Sequence, residues 1–446
     1  MARRFPLVLL LASACIPYVP RPLDPQTNAA ALQQRRLDDP NVRAFAEQSL
    51  KRQFDRWPPE SWNLDTLTAV ALYFNPDIAV ARAEQATAAA AIATARERPN
   101  PTLTASPQHK PSDPQLSPWV SNFGFDFPLE LPAKRRERIA QATELAAASQ
   151  ARIGAIAWGV RSRLRARMLD LFAARQREAA LDREESIEND IVELFSKRLE
   201  LGESAQPELS RARVALYQTT LLRADARRLA AEARAGVAAA AGVPEPALGN
   251  ITAVFDHAIP AIDATLRDQA LIGRADVLAA LHEYAAADAA LRLEVARQVP
   301  DIHLQPAFGW DQGTRTWTLG AAAELPLMNR HRGPIGEASA RREEMAARFN
   351  AVQAGVIAQW DAATASLAAA RAKLDAADTV VRTADAQAAS VRKQFDAGEI
   401  DRLALRSSEL EAEAAHLARA DALIELQQAA GAVEDALQRP IAEESR

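Results

Sequence analysis

Two long stretches of the chain space their apolar residues by alternating threes and fours, which predicts supercoiled helices. In the later stretch this stripe consists of Phe349, Val352, Val356, Trp360, Ala363, Leu367, Ala370, Leu374, Ala377, Val381, Ala384, Ala388, Val391 and Phe395. In the earlier stretch it consists of Ile153, Ile156, Val160, Leu164, Met168 and Leu171. Proline does not occur between Pro132 and Pro207 or between Pro334 and Pro440, so both stretches can remain helical. A helix of about 65 residues is on the order of 100 Å long and must pack against neighbours along its whole length.

A second pattern, the alternation of apolar and polar residues at period two, predicts strands. The apolar positions are Leu103 and Ala105, then Phe123, Phe125, Phe127, Leu129 and Leu131, then Ile302, Leu304, Phe308 and Trp310, and finally Trp317, Leu319, Ala321, Ala323, Leu325 and Leu327. Gln312-Gly313 is predicted to turn the last two strands into a hairpin. One apolar face, one polar face, and Trp119, Trp310 and Trp317 near the hairpin ends are typical of a membrane barrel with a wet lumen. A soluble sheet packed on one face is the alternative.

The two halves of the chain share one layout, about 200 residues apart, and this repeat decides the predicted architecture. The matching positions are Leu67, Ala71 and Asp77 with Leu266, Ala270 and Asp276, Pro101 with Pro300, Pro128-Leu129 with Pro326-Leu327, and Gly202-Glu203 with Gly398-Glu399. Each copy is predicted to contain two short helices, a strand hairpin, a very long helix, a turn and a second long helix. The first repeat spans 61–250, with its strands at about 102–131, and the second spans 251–439, with its strands at about 301–327. Residues 440–446 form a tail.

The N-terminus has the features of an export signal, because Arg3 and Arg4 precede an apolar run that is too short to cross a bilayer as a helix. Residues 1–14 are therefore expected to be removed. Cys15 is the only cysteine, so no disulfide can form within the chain. The segment Leu11-Ala12-Ser13-Ala14-Cys15 resembles a bacterial lipobox, although Ala12 replaces the usual leucine. We expect Cys15 to be acylated, with an incidental signal-peptide cysteine as the alternative.

The segment 15–60 is predicted to be a lipidated, extended tether that contributes little to the core. Its prolines include Pro17, Pro20, Pro22, Pro25 and Pro40. After the signal, no apolar run reaches the roughly 18 residues of a transmembrane helix, which leaves strands as the means of crossing a membrane.

The composition and charge narrow the class of protein further. Hydrophobic residues make up 48% of the 446 residues and charged residues 25%, with only 16 glycines, as is typical of long helices and coiled coils. The net charge is −5. Because cations alternate with carboxylates along the chain, the concentrated basic surface that nucleic acid requires is missing.

Catalytic chemistry has little support in the sequence. We find no phosphate-binding glycine loop, no paired metal-binding histidines and no nucleophile elbow. The six histidines are scattered and are interpreted as solvated or packing residues: His109, His257, His282, His303, His331 and His416. Four methionines are too few for a copper relay. We therefore predict no catalytic residue, no metal site, no cofactor and no enzyme activity.

A glycine separates the two long helices of each repeat, where a positive φ can end a helix and reverse the chain. The predicted hairpin tips are Leu201, Gly202 and Glu203 in the first repeat and Ala397, Gly398 and Glu399 in the second. Charged residues close to these tips are candidates for lining a constricted pore mouth, namely Glu208, Asp401 and Arg406, together with the tip carboxylates Glu203 and Glu399. Simple helix capping and solvated helix faces are the alternative interpretations.

Taken together, these features resemble the outer membrane efflux protein family, the TolC-like outer-membrane factors, over roughly residues 61–439. The motifs that carry the resemblance are the helix breaks Asn75-Pro76-Asp77-Ile78 and Arg274-Ala275-Asp276-Val277, the strand starts at Pro101 and Pro300, the strand ends Phe127-Pro128-Leu129 and Leu325-Pro326-Leu327, and the tip glycines Gly202 and Gly398. Their order, spacing and repetition are specific, whereas no single motif is.

The resemblance implies a mainly α-helical chain with a small β part that works as a homotrimer. Each chain would give four strands to a 12-stranded transmembrane β-barrel in the outer-membrane lipid, and the long antiparallel coiled-coil helices would form a periplasmic α-barrel. Substrates would pass through unchanged. The tips would dock onto a periplasmic adaptor (membrane fusion) protein that serves an inner-membrane pump, often of the resistance-nodulation-division class. Cys15 resembles the acylated subset of the family.

One departure from the family pattern lies after the second tip. Ala404 and Ser407 occupy positions where some members have paired pore aspartates, so gating by an acidic ring is not expected.

Two other classes of protein remain as alternatives. A periplasmic coiled-coil adaptor would also have a helical hairpin, but it should carry a lipoyl-like β-domain around one hairpin rather than two hairpins interrupted by strand pairs. A structural coiled-coil protein would explain the heptads but not the duplicated strands.

Overall fold

The computed structural model of the chain describes residues 17–109, 118–251, 255, 259, 262, 265–311 and 313–441. The elements of the first half are α1 (Pro25–Gln33), α2 (Pro40–Leu50), α3 (Leu64–Phe74), α4 (Pro76–Arg96), β1 (Thr102–His109), β2 (Trp119–Leu129), α5 (Pro132–Glu200) and α6 (Gln206–Ala241), followed by a short 3-10 turn (Glu245–Leu248). Those of the second half are α7 (Thr265–Gly273), α8 (Ala275–Ala296), β3 (Ile302–Asp311), β4 (Thr314–Ala323), α9 (Arg332–Asp396) and α10 (Arg402–Leu437). From α3 onward, the second half repeats the element order of the first.

The helix boundaries follow from local capping chemistry. Asn63 and Thr66 form a reciprocal capping box at the start of α3. The Asn75 side chain accepts a hydrogen bond from Asp77 N–H, and Pro76 occupies the first turn of α4, so the break between α3 and α4 lies where the Asn-Pro step predicts it. Pro132 likewise occupies the first turn of α5.

The central parts of the predicted apolar stripes are buried and form two hydrophobic clusters. In the first cluster, Val160, Leu164, Met168 and Leu171 of α5 pack against α3 and α6. In the second, the α9 residues Val356, Trp360, Ala363, Leu367 and Ala370 pack against α10 and the α7–α8 region. The prediction of long packed helices is confirmed, because each stripe meets neighbouring helices along its length.

Ion pairs also join the long helices at intervals. Arg227 on α6 contacts Glu178 on α5 at 2.7 Å, and Arg183 on α5 contacts Glu413 on α10 at 2.8 Å. Most of these pairs are half exposed, so each contributes little to stability and chiefly fixes the alignment of one helix against the next.

A denser polar cluster joins α5 to the end of α10. The Trp158 indole N–H donates to Asp435 at 2.9 Å, and Arg161 pairs with Glu434 at 2.9 Å. The Arg165 guanidinium is largely buried and lies directly against Gly431, in the space that a Cβ there would occupy. Burial lowers the pKa of Arg165, and the charges of Glu434 and Asp435 act in the opposite direction. Glycine at position 431 therefore permits this close approach.

The prediction that residues 15–60 form an extended tether with little of the core was wrong for the described part. Two of its prolines, Pro25 and Pro40, begin helices α1 and α2 instead of an extended arm, because Asp24 and Asp39 cap those helices. Val42 is fully buried with Leu37 in the first cluster. The segment is also attached through Arg35, whose Nη1 donates to the carbonyl oxygens of Phe74 at 2.9 Å and Gly242 at 2.7 Å.

The four strands form one antiparallel sheet in the order β1-β2-β3-β4. Its first hairpin pairs Leu103 with Phe125, and its second pairs Phe308 with Trp317. The central β2–β3 ladder is interrupted opposite Pro306, which has no N–H to donate. Within the described chain, the edge strands β1 and β4 each pair with one strand only, so each has a free edge.

The strands end earlier than the alternation predicted. Leu131 is not part of β2. It is the extended residue directly before α5, because Pro132 begins that helix. Leu325 and Leu327 lie beyond β4, where Leu327 N–H donates to Leu325 C=O at 2.8 Å in a tight turn around Pro326. In the predicted turn between β3 and β4, Gln312 lies outside the described residues.

Candidate functional site

The two hairpin tips have the same backbone geometry. Gly202 has φ +74° and Gly398 has φ +77°, the left-handed conformation that favours glycine. Glu203 N–H donates to Arg198 C=O at 2.8 Å, and Glu399 N–H donates to Gln394 C=O at 2.9 Å. These bonds cap the last turns of α5 and α9, so the predicted role of the glycines in reversing the chain is confirmed.

The tip side chains are available to a partner. Leu201 is 73% exposed. Glu203, Ala397 and Glu399 are also exposed. In the first tip, the exposed Leu201 lies between Glu200 and Glu203 and gives a small apolar contact point with negative charge beside it. The second tip carries the small Ala397 between Asp396 and Glu399.

Close to the tips, two ion-pair ties join the two hairpins. Arg198 near the end of α5 places Nη2 2.5 Å from Oδ2 of Asp401, which precedes α10. Asp401 also caps α10, because its Oδ1 accepts from Ala404 N–H at 2.8 Å. The hydrogen bond from Ala404, followed by that from Arg198, lowers the pKa of Asp401. The carboxylate thus remains charged and holds both the helix and the neighbouring hairpin.

A second tie lies one to two helical turns further along the same interface. Arg406 on α10 places Nη2 2.5 Å from Oδ2 of Asp190 on α5, and Arg402 approaches the same oxygen at 3.4 Å. Arg406 also pairs with Glu409 on its own helix. The hydrogen bond with Glu409 is the largest cause of the raised pKa of Arg406, so the guanidinium stays charged.

Glu208, the remaining candidate, acts locally. Its carboxylate accepts from Ser204 Oγ at 2.5 Å and from Ala205 N–H at 3.1 Å, and it closes the start of α6. The Ser204 hydrogen bond is the largest cause of the lowered pKa of Glu208. Among the predicted mouth charges, Asp401 and Arg406 therefore join the hairpins and Glu208 does not.

Sequence reasoning missed the partners of these charges. Asp190, Arg198 and Arg402 were not singled out, although all three contribute to the ties. Their charge was visible in the sequence, but the alignment of α5 against α10 is a property of the packed helices and has no local signal.

Between the ties and the core, α5 carries a buried carboxylate. Glu188 is 6% exposed, and its Oε2 has no hydrogen-bond partner among the described residues. The same holds for the buried Ser408 Oγ on the facing helix α10. Burial raises the pKa of Glu188, a hydrogen bond from Thr219 opposes the shift, and the charges of Glu184 and Glu185 add to it. Burial also raises the pKa of Glu184.

At the opposite end of the helices, the sheet has the two faces that the alternation predicted. The apolar face is exposed, with Trp317 at 81% and Leu319 at 78%. The alternate positions carry polar side chains, including the pair His303 and Asp126, whose atoms Nδ1 and Oδ1 lie 3.0 Å apart. A sheet with an uncovered apolar face requires an apolar environment outside this chain.

The remaining predictions concern membrane-spanning helices, metal sites and the N-terminus. Among the described helices, none is both long enough and apolar enough to cross a membrane. In the described part of the chain, histidine, cysteine and acidic side chains do not gather in groups of three or more that would suit a metal ion. The predicted signal peptide and Cys15 lie outside the described residues.

Two long helical hairpins that end in an amphipathic four-stranded sheet define the architecture of an outer-membrane channel protein. The chain belongs to the outer membrane efflux protein family, whose sequence profile matches residues 67–243 and 266–438. This is a family of channels and not of enzymes. No curated protein matches the sequence.

Solved structures of similar fold agree with this assignment. The outer membrane protein VceC from Vibrio cholerae shares 19% identity over 85% of this chain and 97% of its own, with a TM-score of 0.69. The open state of the MtrE outer membrane channel from Neisseria gonorrhoeae shares 18% identity over 86% of this chain and 90% of its own, with a TM-score of 0.70. The CmeC outer membrane channel from Campylobacter jejuni shares 16% identity over 84% and 85%, with a TM-score of 0.68. Family and fold together support an efflux channel in the outer membrane.

Proposed function

We propose that this chain is the outer-membrane channel component of a tripartite efflux system. It passively conducts substrates to the exterior from a periplasmic adaptor protein and an inner-membrane pump, for which the resemblance suggests the resistance-nodulation-division class. The observation that carries the proposal is the amphipathic sheet with two free edges at the end of the helical hairpins.

The dimensions and edges of the sheet support insertion as a closed barrel. Strands β2, β3 and β4 have 11, 10 and 10 residues, matching the roughly 9–11 residues that a tilted strand needs to cross a bilayer. A free edge in lipid leaves backbone groups without hydrogen bonds, so β4 of one copy is expected to pair with β1 of the next. Three copies close a 12-stranded β-barrel in this proposal, with the apolar face towards lipid.

The helices also present surfaces for further copies. On α6, a stripe of apolar side chains stays exposed within the chain: Val214 at 55%, Tyr217 at 63% and Leu221 at 71%. Such a stripe on a helix predicts a helical neighbour. In a homotrimer, helices of adjacent copies would cover it and complete a periplasmic α-barrel.

The tips are proposed to dock onto the adaptor through Leu201, Gly202 and Glu203 and through Ala397, Gly398 and Glu399. The Arg198–Asp401 and Asp190–Arg406 ties hold the hairpins together in the resting state, and adaptor binding at the tips would favour their separation. In this proposal the residues gate passage by shape and pairing, without chemical change to the substrate.

The N-terminal part of the proposal concerns attachment to the membrane. Cys15 would be acylated after removal of residues 1–14, and residues 17–24 are exposed and form no helix or strand, which suits the connection to a lipid anchor. The division into repeats at 61–250 and 251–439 follows the repeated order of elements.

The decisive experiment is single-channel recording on the purified full chain in planar bilayers, with native mass spectrometry of the same sample. The proposal expects trimers and small pores that are mostly closed. Bilayers that stay electrically silent, or a protein that remains a monomer in lipid, would contradict it. An adaptor or a structural coiled-coil protein would give this silent result.

A further inference from the structure

The segment between β4 and α9 is exposed, apolar and held in a defined conformation. Met328 is 97% exposed, Leu327 75% and Leu325 68%. Arg330 and His331 both have positive φ values, 47° and 60°, which turn the chain into α9.

Two side-chain contacts fix that turn. The Asn329 side chain accepts from His331 N–H at 2.9 Å, and His331 Nε2 lies 2.6 Å from Glu294 at the end of α8. The exposed leucines and methionine are therefore displayed on an anchored turn rather than on a free loop.

Basic residues flank these apolar side chains. Arg330 and Arg332 are exposed, and within the described chain neither guanidinium pairs with a carboxylate. Glu324 is the one carboxylate between Ala323 and α9. Ahead of β1, at the same end of the sheet, Arg96 and Arg98 are likewise exposed and without an ion pair among the described residues, with Glu97 between them.

These two pairs of arginines lie at opposite edges of the sheet in one chain, because β1 and β4 are its edge strands. If β4 pairs with β1 of the next copy, as the proposed function requires, the pairs meet at each seam between copies. Four guanidinium groups and two carboxylates then gather at the helix-side end of the strands, which is the level of the headgroups when ten residues cross the bilayer.

We propose that this seam binds the phosphate of an anionic phospholipid in the leaflet that faces the helices. Arg330 and Arg332 of one copy and Arg96 and Arg98 of its neighbour hold the phosphate, while Leu325, Leu327 and Met328 insert among the acyl chains. An apolar tip flanked by cations is the arrangement that favours a negatively charged bilayer surface, and guanidinium matches the geometry of phosphate oxygens. The inference rests on the proposed function, since the seam forms only between copies in a membrane.

The test places the full chain in nanodiscs of phosphatidylcholine, with and without phosphatidylglycerol, and measures by native mass spectrometry how many phosphatidylglycerol molecules stay bound after release. The variants are Arg330→Gln with Arg332→Gln, and Arg96→Gln with Arg98→Gln. A matched control is Arg211→Gln with Arg213→Gln, an equally spaced, exposed pair close to the hairpin tip. A rescue variant replaces Arg330 and Arg332 with lysine, which keeps the charge.

Wild type should retain phosphatidylglycerol in preference to phosphatidylcholine, and each glutamine pair should reduce that retention by roughly thirtyfold, as expected for the loss of two cations at a membrane surface. The control should behave as wild type, and inorganic phosphate should not displace the lipid. The lysine pair should recover only part of the preference, because it keeps the charge but loses the paired guanidinium hydrogen bonds. The inference is overturned if wild type shows no preference, if the control falls as far as the variants, or if free phosphate competes. It is also overturned if the glutamine pairs dissociate the trimer while retention is unchanged, because the segment would then contact a second copy.

Failure of this inference is distinguishable from failure of the proposed function. A wild-type chain that inserts and conducts but shows no lipid preference removes the inference alone. A chain that neither inserts nor conducts removes both.

Discussion

Arg198 and Asp401 lie 203 positions apart in the sequence, yet their Nη2 and Oδ2 atoms are 2.5 Å apart. The pair joins the end of α5 to the start of α10, so it connects the two hairpins close to their tips. Asp401 additionally caps α10 through Ala404 N–H. One carboxylate therefore determines both the start of a helix and the spacing of the hairpins.

The first prediction separates these two roles. Asp401→Asn keeps a good helix cap but removes the ion pair, so stability should fall only slightly and the channel should spend more time open in planar bilayers. Asp401→Ala should cost roughly 1 kcal/mol more through loss of the cap. Arg211→Gln, close to the tip on α6, serves as the control. A closed channel in Asp401→Asn, indistinguishable from that control, would remove the gating role of the tie.

The second prediction concerns the tips. Gly398→Val forces a β-branched residue into a left-handed conformation, which should cost about 1–2 kcal/mol and distort the turn. Pump-dependent export in cells should fall more than the amount of protein inserted in the outer membrane. Gly355→Val in α9, where a Cβ meets no atom within 4 Å, is the matched control. Equal loss of export and insertion would argue against docking through the tip.

The third prediction addresses the α5–α10 junction. Gly431→Ala places a methyl group where the Arg165 guanidinium lies, and that side chain is held by Glu434 and Asp435. Thermal unfolding should show a loss of about 1–3 kcal/mol from overpacking. Gly355→Ala should instead be neutral or stabilising by up to about 1 kcal/mol. If both variants unfold at the same temperature, Arg165 has room to move away and the α5–α10 junction is loosely packed.

The fourth prediction is a pH dependence. Burial raises the pKa of Glu188 in the folded chain, so folding favours its protonated form. Stability from this group is greatest below the ordinary glutamate pKa and declines as pH rises from there to the raised folded value. Glu188→Gln should reduce this decline in plots of melting temperature against pH, while Glu184, whose pKa burial also raises, keeps its own contribution. Glu193→Gln, at an exposed site, should leave the decline intact. If Glu188→Gln keeps the wild-type dependence of melting temperature on pH, the Glu188 carboxylate of the wild type is in contact with water.

The fifth prediction compares the two faces of β4 at adjacent positions. Leu319→Arg puts a charge on the exposed apolar face near the middle of the strand and should cost roughly 2–4 kcal/mol in lipid, so folding into vesicles should largely fail. Thr318→Arg lies on the polar face and should insert normally while changing ion selectivity. Retained insertion in Leu319→Arg would mean that this face does not contact lipid.

Sequence reasoning succeeded where the pattern was long and local. The α9 stripe from Val356 to Ala370 is buried as the heptad spacing predicts, because many periodic positions constrain one helix face. Strand ends were predicted less well, since Leu325 and Leu327 keep the alternation although the pairing with β3 has already ended at Ala323. The N-terminal prolines led to the wrong prediction of an extended tether. Proline is common in extended segments, but it is equally suited to the first turn of a helix, where Pro25 begins α1.

The ties between the hairpins were beyond sequence reasoning. Asp190 and Arg406 meet only because α5 and α10 are aligned by packing far from either residue. That alignment cannot be predicted from residue spacing or composition. Asp401 and Arg406 were therefore singled out for their charge, while their partners on α5 were not.

The free edges of β1 and β4 have a genetic consequence under the proposed assembly. The backbone groups at the edges of each chain's sheet depend on neighbouring chains for hydrogen bonds, so one altered subunit inactivates every complex that it joins. A cell that makes normal and edge-defective chains together should therefore lose more export activity than the share of defective chains suggests. Mutations at these edges should behave as dominant, whereas changes that prevent a chain from folding at all should be recessive.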